Sequence, residues 1–228
     1  MTRLLPLLLM LLAASAQAAL DAEQLRQQGR TALSALVERS SQLPARDQAI
    51  LAVVQAPNEG LAESTLESLA AWREQHPDDL PAKLYEGYGW LFMAGEYVKQ
   101  QNYFRAAELA KRGFFLMDEA VDQNPEDWRL RLLRARMDCY VPAEFGRHVV
   151  ALKDLRYLQE HPEQVPAELR PLLDFLQARA QRAAGDEAAA KALADQAPWG
   201  ELLQAEGRLP ITRAEVQRVL APIVEAAP

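Results

Sequence analysis

The 228-residue chain carries 25 Lys and Arg against 32 Asp and Glu, a net charge of −7, which argues against nucleic acid or an anionic membrane as its main partner. Half of the residues are apolar and a quarter are charged, the balance of a globular protein. Cys139 is the single cysteine, which excludes an intrachain disulfide and leaves stability to packing.

In chain order, the first feature is Arg3, then the apolar run Leu4 to Leu12, then the small residues Ala13 to Ala18. That is the order of a secretory leader over residues 1–18. Ala16-Gln17-Ala18 offers the small-x-small text a signal peptidase reads, so cleavage is expected between Ala18 and Ala19. The run falls well short of the roughly 20 residues that span a bilayer, so the expectation is a periplasmic or secreted protein with no membrane insertion after cleavage. Loss of Arg3 makes the remainder one unit more negative. Residues 19–228 then read as a single helical domain.

That remainder is rich in Ala, Leu, Glu, Gln and Arg and lacks sustained apolar/polar alternation, so the periodicity predicts helices throughout. They are expected over 21–42, 45–55, 61–75, 80–98, 102–123, 126–140, 147–160, 166–184, 187–196 and 212–225. Three apolar stripes at helical spacing need partner helices: Ala106, Ala110, Gly113, Met117 and Ala120; Leu169, Leu172, Leu173, Leu176 and Ala180; and Val216, Val219, Leu220 and Ile223. Gly113 permits close approach on the first of them. Ser64 with Glu67 and Thr212 with Glu215 have capping-box spacing, and in Asn124-Pro125-Glu126-Asp127 the Asn reads as the cap. The aromatic run from Tyr85 through Tyr88, Trp90 and Phe92 to Tyr103, Phe104, Phe114 and Phe115 reads mostly as core.

Three helix ends share one layout: Trp72 to Pro77, Ala120 to Pro125, and Tyr157 to Pro162. In each a helix closes and a proline opens the next unit, although the prolines are unequally spaced. Phe104, Gly113, Ala120 and Pro125 fall at the aromatic, small, Ala and Pro positions of the second helix of a tetratricopeptide (TPR) repeat, and Leu84, Gly87, Tyr88 and Leu91 resemble its first helix. The chain therefore resembles TPR proteins over residues 61–184. The resemblance implies an all-α fold, a TPR-like α-solenoid of antiparallel helix hairpins in a right-handed stack, with a concave face that holds a protein or peptide partner.

No catalytic constellation stands out. Ser34, Ser40, Ser41, Ser64 and Ser68 lie outside any nucleophile elbow, and His76, His148 and His161 form no metal-ligand spacing, so no enzyme, cofactor or metal is expected. Cys139 reads as a buried, inert thiol. Binding candidates come from two places. Tyr85 and Tyr88 lie on a helix apolar nearly all round, beside Arg134 of the following unit. The linker from Cys139 to His148 holds Tyr140 and Phe145, a possible clamp, and Arg147 and His148, able to meet an anionic group. The same linker also reads as Pro142 and Gly146 ending and restarting helices with Phe145 plugging the gap. Around it, Arg129, Arg131, Arg134, Arg136, Arg147, Lys153 and Arg156 outnumber Asp138, Glu144 and Asp154, a basic island that either binds an anion or pairs with neighbouring carboxylates. The functional expectation is an exported, non-catalytic scaffold that binds a protein or peptide partner in a groove of residues 80–157. The alternative is a carrier of small organic anions, similar to the TPR-like accessory proteins of TRAP transporters.

Overall fold

A computed structural model describes residues 23–194 and 210–225. The leader expected over residues 1–18 and the end of the helix expected over 187–196 lie outside the described residues. Every regular element among the described residues is helical. A first helix, α1, covers 23–37 and gives way to a 3-10 turn at Ser40–Gln42, so the rod expected to reach 42 breaks early, ahead of Pro44. Then come α2 (Ala45–Glu59), α3 (Glu63–Gln75), α4 (Leu80–Lys99), α5 (Tyr103–Gln123), α6 (Trp128–Asp138), α7 (Arg147–Glu160), α8 (Arg170–Ala183) and α9 (Glu187–Ala194). A last rod, α10, is built from Arg213–Glu215, the wider π turn Val216–Leu220 and Ala221–Val224. The π turn sits just before Pro222, which has no N–H to give and whose ring would crowd the preceding turn.

Chain neighbours α2 and α3, α4 and α5, α6 and α7, and α8 and α9 pack against each other, and α4 also touches α2, α3 and α6. This central place follows from its composition: Leu84, Tyr85, Gly87, Tyr88, Trp90 and Leu91 are buried on different sides of one helix. The α5 stripe expected from spacing is buried at Ala106, Gly113, Met117 and Ala120, joined by Leu109, Leu116 and Val121. Where α5 crosses α4, a Cβ on Gly113 would lie 2.7 Å from the Gly87 carbonyl oxygen, and one on Gly87 would lie 2.7 Å from that of Gly113. Only two glycines allow backbones this close. Most of the aromatic run packs in or against the core as expected, while Tyr103, Phe104 and Phe115 of α5 face solvent, Phe104 at 86 % exposure.

Helix starts show which caps the chain uses. Thr212 and Glu215 form the expected capping box, the Thr hydroxyl accepting from the Glu215 amide while the Glu215 carboxylate accepts from the Thr212 amide. Ser64 does not cap: α3 starts at Glu63, which puts Ser64 inside the first turn, where its carbonyl accepts from the Ser68 hydroxyl. Asn124 does not cap α6 either. Asp127 does, accepting from the Arg129 amide at 2.8 Å, since a carboxylate is the stronger acceptor and suits the positive end of the helix dipole; Asn124 instead closes α5. Asp79 and Asn102 cap α4 and α5.

The rod α10 lies across the molecule far from its neighbours in sequence. Val216, Val219, Leu220, Ile223 and Val224 are buried, so the third stripe finds its partners. It packs on α2 and on the 3-10 turn Ala167–Leu169. Arg39 bonds Glu225 at 2.9 Å, and the Ile211 carbonyl comes so near Gly29 of α1 that a Cβ there would lie 1.9 Å from its oxygen.

Candidate functional site

Much of the basic island pairs with carboxylates of the protein itself. Arg134 lays its guanidinium on Asp154 at 2.7 and 2.9 Å and reaches Asp118 at 3.2 Å. Arg131 meets the same Asp154 at 2.7 Å, and its guanidinium lies 4.0 Å over the Tyr157 ring. Arg147 forks onto Asp138 and onto Asp118, all four bonds at 2.8 Å, with the Phe114 ring 4.7 Å beneath it. Three arginines thus face three aspartates at the junction of α5, α6 and α7, and their charges are matched within the protein. Burial drives the Asp138 carboxyl up, to about 7, against the opposing pull of Arg147. Of the residues picked from the sequence, Arg134 and Arg147 belong to this network.

The linker residues separate in the same way. Phe145 sits in the 3-10 turn Ala143–Phe145 with 61 % exposure and does not plug the helix gap. Gly146 takes a left-handed conformation, φ 69°, which lets α7 restart at once. His148 lies in the first turn of α7, its Nδ1 buried without a hydrogen-bond partner among the described residues. Cys139 is buried and donates to the Leu176 carbonyl at 3.4 Å, and burial pushes its thiol far above the ordinary value, which keeps it protonated.

Tyr85, Tyr88 and Tyr140 do come together. They line a cavity of about 180 Å³ enclosed by α1, α2, α4, α6 and the start of α10. Its wall is mainly apolar, with Phe92, Leu132, Met137 and Val219 among the contributors, and its mouth is marked by the exposed Arg30, Pro57 and Asn58. Tyr85 and Tyr88 meet edge to face, centroids 5.5 Å apart, and Tyr88 meets Phe92 likewise at 6.2 Å. The Tyr88 hydroxyl donates to the Leu133 carbonyl. The Tyr140 ring lies 4.1 Å beneath the Arg179 guanidinium, which also donates to the Cys139 carbonyl at 3.1 Å.

Two charged residues on the wall were named from the sequence but not as binding candidates. Arg136 of α6 donates through Nε to Glu215 of α10, in a pair almost closed to solvent. Burial would lower the Arg136 guanidinium, but the adjacent carboxylate outweighs it and holds the group firmly charged. The other Glu215 oxygen takes the Thr212 amide at 2.7 Å. A signal for Glu215 was present in its capping-box spacing, whereas nothing local marks Arg136 as its partner, 79 residues away. Burial also raises the Tyr85 and Tyr88 hydroxyls well above the ordinary value for tyrosine, so both are protonated donors. The site offers shape, apolar contact and hydrogen bonding. No protein-family model, curated protein or solved structure matches the chain.

Proposed function

We propose that the protein is an exported, non-catalytic binding protein of TPR-like design, in which stacked helix hairpins present an inner face to a helical peptide or protein partner. The observation that supports this most is α10, an amphipathic rod whose apolar side packs on helices from the other end of the chain and whose Glu215 meets Arg136. That is the way an amphipathic helix docks in an apolar groove. A partner helix with apolar residues at the spacing of Val216, Val219, Leu220 and Ile223 would compete with α10 for the same face. The test is a labelled peptide of residues 210–225 offered to the full chain. In Glu215→Arg, Arg136 repels the chain's own rod, and losing a buried pair of this kind costs about 3 kcal/mol. The variant should therefore bind the peptide at least about tenfold more tightly than the wild type. Equal affinity, in a variant that keeps its helical circular dichroism, would defeat the proposal.

The cavity favours a second reading, a periplasmic carrier of small molecules. Its walls are supplied by five separate elements, with aromatic edges and a few polar atoms, as small-molecule sites commonly are.

A further inference from the structure

We infer that the cavity selects an uncharged, one-ring molecule bearing a single hydrogen-bond acceptor, and that Tyr85 reads that acceptor. This rests on the carrier reading and names its ligand class. Size comes first. An apolar cavity of about 150 Å³ accepts benzene, so about 180 Å³ admits one ring with a short substituent. Charge comes next. Arg136 is the guanidinium within the wall, and Glu215 already neutralises it. Arg30, at the mouth, is held by Glu23 at 2.5 Å. A carboxylate entering the cavity would have to draw Arg136 away and leave Glu215 buried beside a second anion, which is strongly unfavourable.

Hydrogen bonding completes the argument. The Tyr88 proton is committed to Leu133, and Tyr140 is engaged by Arg179 over its ring and by a further contact of its own. Tyr85 is only 2 % exposed, lines the cavity, and its hydroxyl meets no hydrogen-bond partner among the described residues. A ligand oxygen placed against that hydroxyl would accept from it. Because burial keeps the phenol protonated, it donates, and the ligand must accept.

Three probes of nearly equal size separate these requirements in the full-length protein: toluene has the ring alone, acetophenone adds a neutral carbonyl, and benzoate adds an anion. Thermal unfolding at millimolar probe should show a saturable rise in Tm with acetophenone, a smaller one with toluene and none with benzoate. Tyr85→Phe should weaken acetophenone about tenfold, to the level of toluene, while leaving toluene itself unchanged. Val54→Phe, which fills the wall from α2, should abolish both shifts without touching the tyrosine. Benzoate binding as well as acetophenone, or an acetophenone preference that survives Tyr85→Phe, would overturn the inference and leave the carrier reading standing. Silence from all three probes would remove both, while the peptide-binding proposal stands or falls on its own test.

Discussion

Asp79 gathers donors from three helices. Arg46 of α2 grips both carboxylate oxygens at 2.8 and 2.9 Å, the Trp72 indole of α3 donates at 2.8 Å, and the Ala82 amide at 3.1 Å closes the cap of α4. Burial would raise this carboxyl, but the bonds and charge of Arg46, with the Ala82 amide and Trp72, outweigh it and hold the group below its ordinary value. A folded-state value below the unfolded one, about 4, means that the stabilisation is present above pH 4 and is lost as pH falls through the folded value. Asp79→Asn is therefore expected to cost about 3 kcal/mol at pH 7 and progressively less as the pH is brought below about 4, read from urea unfolding across that range. A penalty independent of pH would show that the site acts by shape alone. The charge excess around α6 was visible in the sequence, and so was pairing with carboxylates as one of its two outcomes, but the particular partners were not. Arg134 and Arg147 reach Asp154 and Asp118 across 20 and 29 positions, a pairing that only the packing of α5, α6 and α7 creates.

Helices α4 and α5 depend on a shared pair of glycines. Alanine is the better helix former by about 1 kcal/mol, so Gly113→Ala would stabilise an isolated α5. In the protein its methyl group would meet the Gly87 carbonyl and Leu91, and backbone cannot yield as a flexible side chain does. A net loss of about 2 kcal/mol in urea unfolding is expected, and a stabilised variant would mean that the crossing is looser than 2.7 Å implies. Element positions were largely legible from periodicity, as the α5 stripe and the run of α10 attest, because burial on one face imposes the period itself. Helix starts were less so, since Ser64 has the right neighbours at the wrong turn, and Asp127 outcompetes Asn124 only through charge. The layout shared by Trp72 to Pro77 and Tyr157 to Pro162 has a structural basis: His76 stacks on Trp72 at 3.8 Å and His161 on Tyr157 at 4.1 Å, each ring nitrogen also meeting the aromatic residue's carbonyl. Placing a flat ring one turn before the proline finishes both helices in the same way.

At the scale of the whole molecule, the proposal of export makes the simplest demand. Protein recovered from outside the cytoplasm should begin at Ala19 by intact mass and terminal sequencing; a chain that still begins at Met1 would remove the leader from the account. The cavity was partly legible, because Tyr85, Tyr88 and Tyr140 were each picked as binding candidates, although as members of two separate sites. Part of its wall comes from residues 210–225, which return to helices from the other end of the chain. That return changes how the molecule must come apart. Where each unit touches only its neighbours, a linear array peels from either tip. Here Arg39 and Glu225, 186 positions apart, form part of a seam joining the first and last rods, so neither tip can peel alone and the helices between them lose their packing together.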